Sequence, residues 1–179
     1  MRSNSLKDVD LTYIAKDLRP LAAPIDTVSL DPANARTGHA VERIAASLDQ
    51  YGQRKPIVAN RSQHGKIEAG NGTYQAARVL GWSHIAVVWV EDDPAQAAGY
   101  AIADNRTGDL SSWDLEALAE ASDIALEAGA YTGFEADELE SLLAAIERDV
   151  IPEFQEFDES SANDVEMLEC PECGHRWPK

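Results

Sequence analysis

The residues best placed to do chemistry lie in Lys66–Gly81, KIEAGNGTYQAARVLG. A short apolar approach through Ile67 and Ala69 meets Gly70-Asn71-Gly72, and Tyr74, Ala77, Arg78 and Gly81 then recur at helical spacing. The pattern predicts a strand, a glycine turn and a helix start. The first N–H groups of a helix have no partner inside it, and the helix dipole adds partial positive charge there. Glycines at 70 and 72 let a ligand approach the backbone closely. Asn71 and Thr73 add short polar side chains, and Thr73 is a candidate helix cap. Two readings fit: a cradle for a phosphate or another anion, and a strand-to-helix turn that needs its glycines for geometry alone.

A second constellation closes the chain, Cys170-Pro171-Glu172-Cys173-Gly174-His175-Arg176-Trp177. Two thiolates at this spacing, with glycine after the second, make the tight turn of a zinc knuckle. A closed structural site takes four ligands, and the tail offers Cys170, Cys173 and His175. The other histidines, His39, His64 and His84, lie far back in the sequence. The knuckle is completed by a second copy, completed by His175 with one more residue, or metal-free. Without a second cysteine pair, a remnant or weakly held Zn2+ is expected rather than a site closed within the chain.

The elements that must position these groups follow from periodicity. Residues 1–23 are expected as a flexible arm. Ile25–Leu30 alternates as a short strand, and Asp31–Arg36 is a turn-rich loop whose Arg36 is an anion contact or a solvated surface residue. Val41, Ile44, Ala45, Leu48 and Tyr51 trace one helix face, ended by Gly52. Arg54 and Lys55 precede a strand at Pro56–Ala59; Asn60–Gly65 is a hairpin loop leading to the strand Lys66–Ala69. The continuous apolar run Ile85–Val90 reads as a buried strand. A helix capped by Glu91–Pro94 packs through small residues and ends at Asp104-Asn105-Arg106-Thr107-Gly108, which either face a ligand or only terminate the helix. Two amphipathic helices follow, from Ser112 or Asp114 and from Glu135 to Val150, the second with Leu139, Leu142, Leu143 and Ile146 on one face. Residues 151–166 have the composition of an acidic linker.

Charge divides the 179 residues unevenly. The net charge is −17, yet residues 1–110 hold 12 Lys/Arg against 13 Asp/Glu, while residues 111–179 hold 3 against 19. The front part can carry a local basic pocket; the back part repels nucleic acid, which argues against a simple DNA-binding protein. No apolar run is long enough to span a membrane, the N-terminus lacks a secretory apolar stretch, and two cysteines do not make a disulfide framework. A cytoplasmic protein without membrane contact is expected.

Taken in order, the front motifs resemble the N-terminal domain shared by chromosome-partitioning ParB proteins and sulfiredoxin. The likeness covers roughly residues 24–110. Asp31–Arg36 is similar to the loop after that family's first strand, and Arg43–Asn60 (RIAASLDQYGQRKPIVAN) to its helix, glycine and Pro-Ile-Val segment. Ala69–Trp82 resembles the phosphate-binding box, and Ala101–Leu110 the later box that opens on an acid and an asparagine. The resemblance implies an α+β fold, a small mixed sheet with flanking helices, in which these boxes converge on a nucleotide, CTP in ParB and ATP in sulfiredoxin. An acidic helical extension (111–150), the linker (151–166) and the cysteine tail (167–179) follow.

Two departures matter. The box arginines of ParB fall on Gly72 and Thr73, and sulfiredoxin's catalytic cysteine falls on Asn71, which excludes sulfinic-acid reduction. By the resemblance, Gly70, Asn71, Gly72 and Thr73 hold phosphate. Arg36, Arg54 and Arg106 balance its charge, while Asp104 and Asn105 orient the site. The variant boxes resemble the short ParB-like proteins of phages and mobile elements, or the ParB-like domain fused to DNA methyltransferases. The implied function is a nucleotide-binding module in DNA transactions, with Mg2+ as a companion ion. DNA contact is indirect or weak, and the partners implied are a methyltransferase or another phage DNA enzyme, or a second copy in a homodimer. A metal-dependent ParB-like nuclease using Glu68, Asp104 or Asp109 is one alternative; a non-enzymatic adaptor docking through the acidic helices is the other.

Overall fold

A computed structural model describes residues 9–149 and 167–178. The linker expected at 151–166 and the first eight residues of the expected arm lie outside the described residues. The chain divides into two compact units, Met1–Leu143 and Ala144–Lys179.

In the first unit, β1 (Ala22–Pro24), β2 (Ile57–Asn60), β3 (Lys66–Ala69) and β4 (His84–Val90) form one mixed sheet in the order β1-β4-β2-β3. β4 runs parallel to β2, with Ile57 opposite Val87 and Ala59 opposite Trp89, and antiparallel to β1. β2 and β3 form the expected hairpin, with a register shift between Val58 and Ala59. The core follows from these strands: Ile57, Ile67, Ile85 and Val87 are buried together with Ile25, Val28 and Ala77. Each buried isoleucine or valine among them contributes about 1.5–3 kcal/mol by leaving water. The helices α1 (Val41–Tyr51) and α2 (Asn71–Val79) pack on each other through Ala45, Leu48 and Ala76.

Gln53 ties this layer to the sheet. It is buried, donates to the carbonyls of Lys55 and Ala86, each at 3.0 Å, and accepts from the Ala86 N–H at 2.7 Å. α3 (Pro94–Asp109), α4 (Leu115–Glu127) and α5 (Ala136–Asp149) follow. α3 opens on a capping box, in which the Asp93 carboxylate accepts from the N–H groups of Ala95 and Gln96. In the second unit, β5 (Met167–Glu169) and β6 (Arg176–Pro178) pair as an antiparallel hairpin.

Four sequence expectations need correction. From residue 9 onward the presumed arm packs on the domain: Ile14 is fully buried and bridges Gln53, and Tyr13 stacks on Trp82 at 4.4 Å. The first strand is Ala22–Pro24 rather than Ile25–Leu30, because Ile25–Thr27 turns as a short 3-10 helix. The run Asp104–Gly108, expected to end the helix, is itself helical up to Asp109, and Asn105 and Thr107 bond back to the carbonyls of Ala101 and Ala103 inside it. Nor does that helix pack tightly: none of its residues is buried, and Ile102 is exposed.

Candidate functional site

The corner between β3 and α2 is built as the periodicity predicts, with one change at the cap. Gly70, not Thr73, occupies the N-cap, and no side chain caps the helix. Gly70 takes φ +94°, and a Cβ there would come within 2.6 Å of Ile57 in the core. Its role is therefore geometric: only glycine turns the chain this close to β2. Tyr74 N–H is the first amide to bond back into the helix, to the Gly70 carbonyl at 3.0 Å. The preceding amides of Asn71, Gly72 and Thr73 occupy the helix's unpaired first turn.

An open cavity of about 230 Å³ lies against this turn. Residues 69–73 form one wall; Asn34 and His39 come from the loop before α1, Ile44 from α1, and Asp104 and Asn105 from α3. A Cβ on Gly72 would come within 2.7 Å of the end of the Ile44 side chain and 3.5 Å of His39. Glycine at 72 thus leaves room for the Ile44 and His39 side chains against the first turn of α2.

Glu68 is the cavity's unusual member. It is 5 % exposed, and its Oε1 accepts from Asn60 Nδ2 at 2.7 Å. Its Oε2 is buried without a partner. Asn60 also donates to the Asp92 carbonyl at 2.8 Å, so its amide holds the carboxylate from the β2–β3 hairpin. Burial pushes the Glu68 carboxyl above its ordinary range; the Asn60 bond works against this, while the Asp92 carboxylate adds to it by its charge and by a side-chain hydrogen bond that favours a proton between the two. Asn71, 7 % exposed, likewise leaves its Oδ1 buried and unpartnered. Burial, then the charges of Asp104 and Glu68, raise the Tyr100 phenol. The two carboxylates thus share one electrostatic neighbourhood on the side of the cavity reached by α3.

The fold brings together Glu68, Gly70, Asn71, Gly72, Thr73, Asp104 and Asn105, but not the three arginines. Arg36 is paired with Asp109 at 3.0 Å. Arg54 lies over the Tyr51 ring at 5.0 Å and donates to the Tyr51 carbonyl. Arg106 is exposed on α3 and does not line the cavity. The expectation that they converge on the phosphate box is corrected accordingly, and Asp109, engaged by Arg36, stands outside the cavity with them. Sequence reading missed Asn34, His39 and Asn60. Asn34 lies in the turn-rich loop and was legible as a loop polar residue, whereas nothing local marks His39 or Asn60.

At the tail, the turn between β5 and β6 holds Cys170 and Cys173. The neighbouring backbone N–H groups of Glu172 and Cys173, and the Cys173 side chain, hold the Cys170 thiol below its ordinary range. His175 does not complete the pair: its ring stacks on Trp177, with centroids 6.1 Å apart. Among the described residues no three of His, Cys, Asp and Glu come together around one point where an ion could sit. No helix among them is long and apolar enough to cross a membrane.

No protein-family model matches the chain, and no curated protein matches its sequence. Among solved structures, it is similar to the C-terminally truncated chromosome-partitioning protein ParB from Caulobacter crescentus complexed with CTP-γ-S. The TM-score is 0.58 at 18% identity, over 70% of this chain and 77% of that one. The same protein complexed to the centromeric parS site aligns at 0.40 (17% identity, 69% of this chain, 64% of that one). A Pnob8-like ParB-N domain aligns at 0.41 (16%, 88% and 55%). The first of these three carries the fold assignment: a small mixed sheet with flanking helices, of the ParB N-terminal type.

Proposed function

We propose that the cavity at the start of α2 binds the phosphates of a nucleoside triphosphate, CTP or ATP, as a magnesium complex, within a module acting in DNA transactions. The observation that carries this reading is the pairing of an uncapped helix N-terminus with a buried carboxylate whose Oε2 has no partner. Backbone amides of Asn71, Gly72 and Thr73 suit phosphate oxygens. Glu68 and Asp104 do not; bare, they would repel them. A divalent cation resolves the conflict, because hard oxygen ligands and phosphate together are what Mg2+ takes. Glu68 and Asp104 would hold it, and the ion would supply the positive charge that the box arginines supply in ParB. Asn71 can turn either end of its amide to the ligand.

The similar fold of a ParB complexed with CTP-γ-S supports a nucleotide ligand for this fold. The setting in a phage or mobile element rests on the motif resemblance alone. Calorimetry with CTP, ATP and GTP, with and without Mg2+, tests the reading: magnesium-dependent heat supports it, and none at millimolar ligand overturns it. Cleavage of plasmid DNA that is lost in Glu68→Ala would instead favour the nuclease alternative.

A second reading, the adaptor, has its own support. Beyond residue 110 the chain carries 19 acids against 3 bases, and Ile124 and Leu126 on α4 are exposed. A basic DNA enzyme such as a methyltransferase fits that surface. Its capture by the full chain but not by residues 1–110 supports the adaptor; capture by both contradicts it.

A further inference from the structure

The hairpin β5–β6 carries chemistry that the nucleotide cavity does not use. Its turn is closed at both ends: Cys170 N–H donates to the His175 carbonyl and Gly174 N–H to the Cys170 carbonyl, each at 2.9 Å. Gly174 takes φ +73°, the left-handed conformation that lets the strand return. Both cysteines therefore sit on one tight turn. This is the form in which a knuckle presents two thiolates to one ion.

Two ligands are half of a tetrahedron. The 179 residues contain two cysteines in all, and His175 is stacked on Trp177 rather than grouped with them. A second copy of the same turn has the missing pair, of the right softness and spacing. The hairpin also has a surface for that copy to cover. Leu168 and Trp177 stand opposite each other in register, on one face, and are 39% and 41% exposed. Self-association about a two-fold axis brings identical patches together, which suits both an apolar pair and a half-site.

We propose that two copies of this chain share one zinc ion, held by Cys170 and Cys173 of each, and that this site makes the protein a dimer. Each thiol releases its proton as the ion binds. The proposal is independent of the nucleotide reading.

The test uses the full chain, purified in the presence of a thiol reductant, with zinc content and molar mass measured together. One zinc per two chains in a dimer is the expected result. Chelation should release the ion and yield monomers, and Cys170→Ser should lose zinc and dimer together while the thermal melt of the front domain stays unchanged. Cobalt exchanged into the site should give the visible spectrum of a tetrahedral tetrathiolate. No retained zinc, one zinc per monomer, or a dimer that survives chelation and Cys170→Ser would each overturn the proposal. A dimer that forms only when the reductant is withheld would overturn it in favour of a disulfide.

Discussion

Asn60 donates its amide to Glu68 Oε1 at 2.7 Å, so a hairpin residue holds one oxygen of a buried carboxylate and leaves the other without a partner. A buried acceptor that no protein group satisfies costs about 1–3 kcal/mol, more when charged.

That carboxylate makes stability depend on pH. Its folded pKa is raised, chiefly by burial, above the value of 4.5 expected unfolded. The folded state therefore binds the proton more tightly, and the stabilisation is fully present below pH 4.5 and lost as pH rises through the folded value. Glu68→Gln keeps an acceptor for Asn60 and buries no charge. Chemical denaturation across this range should find the variant more stable than the parent near neutral pH and without this component of the slope. A variant that tracks the parent at every pH would contradict the assignment.

Gly70→Ala should destabilise the domain by about 2–4 kcal/mol, from positive φ plus a clash with Ile57. Thermal or denaturant melts read this directly. A loss below about 0.5 kcal/mol would mean the corner relaxes freely.

Removing the α3 cap with Asp93→Ala should cost about 1 kcal/mol, since two N–H groups lose their acceptor. Because α3 supplies Asp104 and Asn105 to the cavity, nucleotide affinity should weaken with it. Unchanged stability would show that α3 does not depend on the box.

Arg36→Ala should leave nucleotide affinity unaltered and change stability by less than about 1 kcal/mol. Its partner is Asp109, and both side chains are close to half exposed, 45% and 49%. An affinity loss of tenfold or more in a titration would restore Arg36 to the site.

The central part of the fold was legible because its signals are local. Apolar runs marked β2 and β4, and Val41 to Tyr51 repeated with helical period up to Gly52. The β3–Gly70–α2 corner announced itself through two glycines between an apolar strand and an Ala-rich helix. What could not be read depends on partners distant in sequence. β1 has three residues, including a proline, and exists because β4 pairs with it. Asn105 and Thr107 look like stop signals, yet their side chains bond within the helix. The arginines were visible as charge, but Arg36 is engaged 73 positions away by Asp109. The orphan oxygen of Glu68 is a product of burial, and composition carries no mark of it.

The most direct test is calorimetric titration of the full chain with CTP and ATP, with and without Mg2+, beside Glu68→Gln. Saturable binding to the parent that requires Mg2+, and that weakens at least tenfold in Glu68→Gln, is the predicted result. Binding that is indifferent to both the ion and the substitution, or no binding at millimolar nucleotide, would contradict the account.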